Sequence, residues 1–253
     1  MKKSNLYFQH VYGRKNLLME FLNGVFLKIS SYPRMVIEVI IRKNFGERYF
    51  SLATAVCIFA ILAFLPYAGE SLFGGFFSGN LDKYTWYMFD ALFAGCTIKH
   101  LWDGSYAPGV FDFGRFSKYA GDIHPLFSTL NIWGWKPDVR TIEVLLEPGL
   151  FFIIGLVLNQ MGLNLGLLLV LVSLIYCLSY YAAYEKGDNF IMDTIDEMLM
   201  NEETFNAFVR GESGDQTRGV RFHAERPKLY AMREKLAEAM VHDASKVEFT
   251  LAE

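Results

Sequence analysis

A run of 37 residues without a charged side chain, from Pro148 to Tyr184, limits what this chain can fold into more than any other feature. A single helix of that length would measure about 55 Å, whereas the hydrocarbon core of a bilayer is about 30 Å thick. Near its middle the run contains Gly-Leu-Asn-Leu-Gly at 162–166, and Gly and Asn adopt the backbone angles that a chain reversal requires. The pattern predicts two transmembrane helices joined by a tight turn.

Two further segments are predicted to cross the membrane. The stretch from Tyr49 to Gly69 carries no charge, and the stretch from Tyr84 to Leu101 has Trp86 near one end and Lys99 near the other, which is typical of membrane interfaces. The predicted fold class is therefore an all-α integral membrane protein with about four transmembrane helices. The four predicted spans are 50–66, 84–101, 148–163 and 165–184.

The two ends of the chain carry net charges of opposite sign. Residues 1–50 hold nine Lys and Arg against three Glu, and residues 185–253 hold nine Lys and Arg against fifteen Asp and Glu. By the positive-inside rule the basic end is cytoplasmic, and four spans return the C-terminus to the same side. The prediction is a multi-pass protein with both termini cytoplasmic, in the inner membrane if the source is bacterial. The acidic tail argues against binding nucleic acid.

The chain is expected to have three regions. They are a basic helical head (1–48), a four-span membrane domain (49–184) with a cytoplasmic loop (103–147), and an acidic cytoplasmic helical tail (185–253). In the head, apolar spacing predicts a short amphipathic helix at 17–28, and Ser31 with Pro33 predicts the start of a second one at 34–44. In the tail, helices are predicted at 189–210 and 227–242.

The head helices are predicted to lie in the membrane interface, where basic side chains meet anionic lipid headgroups. The alternative is that they pack on the cytoplasmic surface of the protein itself. The cations assigned to this membrane-surface group are Lys28, Arg34, Arg42, Lys43 and Arg48.

The long loop is rich in aromatic residues, which combine an apolar body with polar or polarisable groups. Such residues occur at headgroup interfaces and in the centres of protein interfaces, so the loop is either a surface-lying element or a docking surface for another protein. The aromatic residues singled out are Phe111, Phe113, Phe116, Trp133 and Trp135.

Asp90 is the sharpest candidate for a functional group, because a carboxylate inside a membrane span is costly. Counted along the helices, Asp90 falls at a depth similar to that of three polar residues in the hairpin, namely Asn159, Gln160 and Ser173. One reading is a site for a proton, an ion or a polar headgroup. The other, which we favour, is a hydrogen-bonded cluster that holds the spans together.

A metal site is not expected, because the five histidines are scattered and lack the repeated spacing that a metal centre needs. The group considered was His100, Asp103, Asp112, Asp122 and His124. Nucleotide-binding, nucleophile-elbow and zinc-protease motifs are absent from the sequence, so neither a cofactor nor an enzymatic activity is expected.

These features favour a non-enzymatic membrane scaffold or anchor subunit. Its expected partners are the lipid bilayer and other membrane or cytoplasmic protein subunits, or further copies of itself. A secretion or conjugation type envelope machine is one setting for such a subunit. The alternative is a small transporter, channel or lipid-handling protein that uses the polar site around Asp90.

Overall fold

The chain folds into helices, apart from one short pair of antiparallel strands among the residues that the structure describes. The structure is a computed structural model that describes residues 3–12, 17–73, 75–77, 79–106, 118–131, 134 and 136–243. The α-helices are α1 (Leu17–Ile41), α2 (Leu52–Phe73), α3 (Asn80–Tyr106), α4 (Pro125–Ser128), α5 (Val139–Thr141), α6 (Glu147–Gln160), α7 (Asn164–Thr204) and α8 (Tyr230–Met240), and π-helical segments cover Phe8–Tyr12, Ile142–Leu146 and Phe205–Arg210. The strands are β1 (Lys3–Asn5) and β2 (Val241–Asp243).

The chain divides into two units. Unit 1 comprises residues 1–20 and 185–253, and unit 2 comprises residues 21–184. The predicted boundary at residue 48 does not separate them, because residues 21–48 belong to unit 2.

Three helices among the described residues are long and apolar enough to cross a membrane. They cover Leu52–Ser71, Val139–Gln160 and Asn164–Arg210. Helix α3, which contains the predicted span at 84–101, is not among them. Its sequence carries several charges, including Asp82, Asp90 and Lys99.

The predicted reversal at 162–166 is confirmed. Helix α6 ends at Gln160, α7 begins at Asn164, and Gly162 between them has a φ angle of 75°, a left-handed conformation that favours glycine. The two helices approach closely at Gly155 and Gly166, where a Cβ atom on Gly166 would lie 2.6 Å from the carbonyl oxygen of Gly155. Small residues at such a crossing allow two backbones to touch.

Helices α3 and α7 begin at the same end of unit 2, and Asp82 joins them there. The backbone N–H of Asn164 donates to the Asp82 carboxylate at 2.9 Å, and the Asn164 side-chain amide donates to its other oxygen at 2.8 Å. A carboxylate at the start of a helix satisfies an N–H group that has no partner in the helix, and it complements the helix dipole. We call this end of unit 2 the hairpin end.

Two predicted helix starts are wrong, and both were placed at a proline. Helix α1 is continuous through Pro33, where two short helices were predicted. It continues because residues on both sides of Pro33, such as Ser30 and Ile37, are buried in unit 2. The helix predicted to open at Pro148 begins earlier, and its π-helical segment Ile142–Leu146 comes just before that proline. A wider turn accommodates a residue that has no backbone N–H.

The predicted span at 165–184 and the predicted tail helix at 189–210 belong to one helix, since α7 continues through Gly187 to Thr204. A single glycine inside a helix costs only about 1 kcal/mol, which does not end it. The helix is followed by a π-helical segment, Phe205–Arg210, and closes at Gly211 with a φ angle of 81°. The second tail helix, α8, is shorter than the predicted 227–242.

Unit 1 includes the strand pair, which the sequence did not predict. Strand β1 pairs with β2, with Ser4 opposite His242. The buried Asn5 amide donates to the Thr204 hydroxyl at 3.1 Å, and the Asn5 backbone N–H donates to Glu197 at 3.1 Å. These bonds tie the N-terminal residues to the last turns of α7.

Candidate functional site

Five charged side chains meet inside unit 2, and we call them the ionic network. They are Arg34, Glu38 and Arg42 of α1, Glu143 of the π-helical segment, and Glu147 of α6. The spacing of four residues places the three α1 side chains on one face of that helix, and it does the same for the two other glutamates. Sequence reasoning missed the network, although this spacing is visible in the sequence.

The first half of the network surrounds Glu38. Its carboxylate forms an ion pair with Arg34 at 3.0 Å and accepts hydrogen bonds from the hydroxyls of Tyr49 and Tyr180. Arg34 in turn donates to the Tyr49 hydroxyl at 2.6 Å and to the Ser179 hydroxyl at 3.1 Å. Both carboxylate oxygens of Glu38 therefore have hydrogen-bond partners within the protein.

The second half of the network surrounds Arg42, which is 1% exposed. Its guanidinium donates two hydrogen bonds to one oxygen of Glu147, forms an ion pair with Glu143 at 3.1 Å, and donates to the Tyr180 hydroxyl at 2.6 Å. The same Glu147 oxygen accepts from the Tyr176 hydroxyl. The other oxygen of Glu147 is buried without a hydrogen-bond partner among the described residues.

Aromatic rings complete the surroundings of both arginines. The Tyr180 ring centroid lies 4.4 Å from the guanidinium carbon of Arg34 and 4.9 Å from that of Arg42. At this distance the face of the ring attracts a cation. Tyr180 thus lies between the two halves of the network and contacts both.

Burial changes the acid–base behaviour of this region. The pKa of Glu38 is raised above its ordinary value because burial removes the carboxylate from water, although Arg34 and Arg42 offset part of that effect. The pKa of Tyr49 is also raised, mainly by burial and further by the neighbouring Glu38. These groups are held by specific partners, so the network is suited to fixing helices in place.

The network corrects the predicted membrane-surface group. Arg34 and Arg42 are buried and ion-paired, so their charges do not face lipid headgroups. Lys28, Lys43 and Arg48 are exposed.

The structure does not bring all four residues of the predicted polar cluster together. Asp90 and Ser173 are buried, whereas Asn159 and Gln160 are exposed at the end of α6. The reason is that only one face of α6 packs inward, with Phe151 and Gly155 buried on it.

The predicted aromatic group of the long loop, formed by Phe111, Phe113, Phe116, Trp133 and Trp135, lies outside the described residues.

The His and Asp residues that were considered for a metal have other contacts. The His100 ring nitrogen bonds to the Val39 carbonyl at 2.7 Å, and His124 accepts from the backbone N–H of Leu126 at the start of α4. Asp122 accepts from the side chains of Asn44 and Tyr119. Asp103 is exposed, and Asp112 lies outside the described residues. Within the described part of the chain, no three His, Cys, Asp or Glu side chains are grouped so that they could hold a metal ion.

A second candidate surface lies in unit 1, on α7 beyond residue 184. Ile191, Ile195 and Met198 are exposed and follow one another at spacings of four and three residues, so they form a stripe on one face of the helix. Phe190 and Met192 are exposed beside it. Residues 185–203 carry seven acidic residues and one lysine. We call Ile191, Ile195 and Met198 with these two neighbours the tail stripe.

Searches against protein-family models, curated proteins and solved structures found no match to this chain, so the arguments for function come from its own residues.

Proposed function

We propose that this protein is a non-enzymatic membrane subunit that anchors a partner protein at the membrane through the tail stripe. The observation that carries the proposal is an apolar stripe left exposed on an acidic helix. Contiguous exposed apolar surface is typical of interaction sites. A secretion or conjugation type envelope machine would use such a subunit.

The partner segment is a basic amphipathic helix of another protein. An amphipathic helix buries an apolar stripe by laying its own apolar side chains along it. The acidic residues of this helix attract Lys and Arg at the edges of that partner helix. A second copy of the same acidic helix would be repelled by like charge, and so would an anionic lipid surface.

Support for a rigid anchor comes from the ionic network. It links α1 to α6 and α7 by charge-assisted hydrogen bonds, which are stronger than neutral ones. No ligand-binding role is needed to account for these contacts.

A photo-crosslinking residue placed at Ile195 of the full-length membrane-embedded protein tests the proposed contact. We expect a crosslink to one partner, and mass spectrometry should locate it in a segment with apolar residues at helical spacing and Lys or Arg at its edges. The same residue placed at Asp193, on another face of α7, is the control and should crosslink far less.

Ile195→Glu should abolish co-purification of that partner, because it places a charge in the middle of the apolar contact. Asp193→Asn is the matched control and should weaken binding only modestly, with reduced salt dependence. A partner that remains bound to the Ile195→Glu protein, or a crosslinked segment that is acidic, would contradict the proposal.

Four spans with both termini cytoplasmic remain our proposal for the topology. Helix α3, at 27 residues, is about 40 Å long, which is enough to cross a bilayer. Asp90, inside the predicted span, and Asp82, just before it, are buried rather than turned outward. Charged residues in a span are expected to face the interior of the bundle in this way.

Reporter fusions after Met1 and after Glu253 test this topology. We expect both reporters to be cytoplasmic, and a cysteine introduced at the exposed Met161, in the turn between α6 and α7, to react with an impermeant maleimide from outside. Native cysteines must first be replaced, because Cys57 is exposed. Reporters on opposite sides would mean that α3 does not cross.

A small transporter, channel or lipid-handling protein is the second candidate function. One observation favours it, namely that Asp90 is buried without a hydrogen-bond partner among the described residues.

A further inference from the structure

Asp90 lies on the buried face of α3 and is 5% exposed. Neither carboxylate oxygen has a hydrogen-bond partner among the described residues. Its neighbours Phe89 and Phe93 on the same helix belong to the hydrophobic core of unit 2. An ionised carboxylate without a partner in such surroundings is very unfavourable, so its charge must be neutralised.

Ser173 of α7 is a second polar side chain that is buried without a hydrogen-bond partner among the described residues. It is 2% exposed, and its hydroxyl has no hydrogen-bond partner within the described part of the chain. Its helix neighbours Val172 and Tyr176 belong to the same core as Phe89 and Phe93. Buried polar groups are nearly always hydrogen-bonded in native proteins, so two such groups in one core point to a ligand.

The helix register places the two groups at the same depth. Helices α3 and α7 both start at the hairpin end, where Asp82 bonds to Asn164. Asp90 lies eight residues beyond Asp82, or about 12 Å, and Ser173 lies nine residues beyond Asn164, or about 13.5 Å. Thr97, whose buried hydroxyl also lacks a partner in the described residues, lies about 10 Å farther along α3 than Asp90. Ser173 is therefore the hydroxyl at the level of Asp90.

The positive charge that neutralises Asp90 is not supplied by the buried cations of unit 2. Arg34 is paired with Glu38, and Arg42 with Glu143 and Glu147. No ion pair joins Asp90 to a Lys, Arg or His within the described ranges. The nearest lysines on α3 are Lys83 and Lys99, seven and nine residues away, and both are exposed. A small cation from solution meets the requirement.

We propose that Asp90 and Ser173 form a binding site for a small monovalent cation, either a proton or a sodium ion, inside unit 2. Carboxylate and hydroxyl oxygens are hard ligands, which suit both ions. With a proton, Asp90 becomes a neutral acid, which removes the unpaired charge from the core. With sodium, both side chains supply oxygen ligands. The site is independent of the tail stripe, so either proposal can fail without the other.

Labelling with dicyclohexylcarbodiimide tests the site in the full-length protein, reconstituted in sodium-free liposomes. This apolar reagent reacts with protonated carboxyl groups. The carboxyl oxygen adds to the central carbon and the proton to a nitrogen, and the adduct rearranges to a stable N-acylurea without losing a group. We expect mass spectrometry to find the adduct on Asp90. Glu147 is the internal control, because its carboxylate is ion-paired with Arg42 and should react far less.

Adding sodium chloride distinguishes the two ions, with choline chloride as the control for ionic strength. Protection of Asp90 by sodium alone identifies a sodium site, and labelling that neither salt changes identifies a proton site. Ser173→Ala should weaken sodium protection, because it removes one ligand oxygen.

A second measurement does not depend on access of the reagent. The infrared spectrum of the sodium-free protein should contain a protonated-carboxyl band that disappears in Asp90→Asn, a variant of nearly the same shape that should fold and insert normally. Absence of both the adduct and this band would show that Asp90 is ionised and neutralised by the protein itself, which would overturn the proposal.

Discussion

Replacing Arg42 with leucine is expected to destabilise the protein by about 3–5 kcal/mol, the cost of breaking a buried ion pair by removing one partner. Glu147 is fully buried, and Arg42 supplies two of its hydrogen bonds. The variant would leave that carboxylate in the core with only the Tyr176 hydroxyl as a partner. The measurement is the free energy of unfolding by denaturant in detergent micelles.

Lys43→Leu is the matched control, because it removes a cation from the adjacent, exposed position. It should change the free energy of unfolding by less than about 0.5 kcal/mol. The double variant Arg42→Leu with Glu147→Leu should recover part of the loss, since replacing both members of a buried pair by apolar residues removes the uncompensated charge. An Arg42→Leu protein as stable as the original would refute the view that the network holds unit 2 together.

Gly166→Ala is expected to be the second strongly destabilising change, at about 3 kcal/mol. The added Cβ atom would lie 2.2 Å from the backbone nitrogen of Asn159 and 2.6 Å from the carbonyl oxygen of Gly155. Both are backbone atoms of the facing helix, so no side chain can rotate away. Helices α6 and α7 must separate to make room, which loses packing along the hairpin.

The same substitution at Gly95 of α3 provides the control. Apart from the adjacent backbone of its own helix, no atom lies within 4 Å of a Cβ atom built there, so the change is free of clashes. Alanine is a better helix former than glycine by about 1 kcal/mol, and Gly95→Ala should therefore leave stability unchanged or raise it. Equal effects of the two substitutions on the unfolding midpoint would contradict the close approach.

The sequence could predict the helical hairpin because its signals are local. A charge-free run indicates burial in an apolar medium, and Gly162 indicates a left-handed turn regardless of its surroundings. Helix starts at Pro33 and Pro148 were predicted wrongly, because a proline shows only that one backbone N–H is missing. Whether a helix starts there depends on the packing of its neighbours, which a local pattern does not contain.

The ionic network could not be predicted in the same way. The spacing of Arg34, Glu38 and Arg42 indicates one face of a helix, but hydropathy does not tell whether that face meets lipid headgroups, water or other charges. The partners of Arg42 lie far away in the sequence, at Glu147 and Tyr180. Asp90 was recognised because a carboxylate in an apolar helix stands out by itself, and counting along the helices already gave Ser173 a similar depth. What counting could not tell is that Ser173 is buried whereas Asn159 and Gln160 are exposed.

The distance in sequence between the two sides of the ionic network has a consequence for biosynthesis. Arg42 leaves the ribosome 105 residues before Glu147 and 138 residues before Tyr180. Arg42 must therefore stay solvated until the hairpin has been made, because burying it earlier would leave it unpaired. The packing of unit 2 is therefore completed only after α7 has been synthesised. A chain interrupted before Tyr176 lacks the tyrosines of the ionic network, so its charged side chains stay exposed to water.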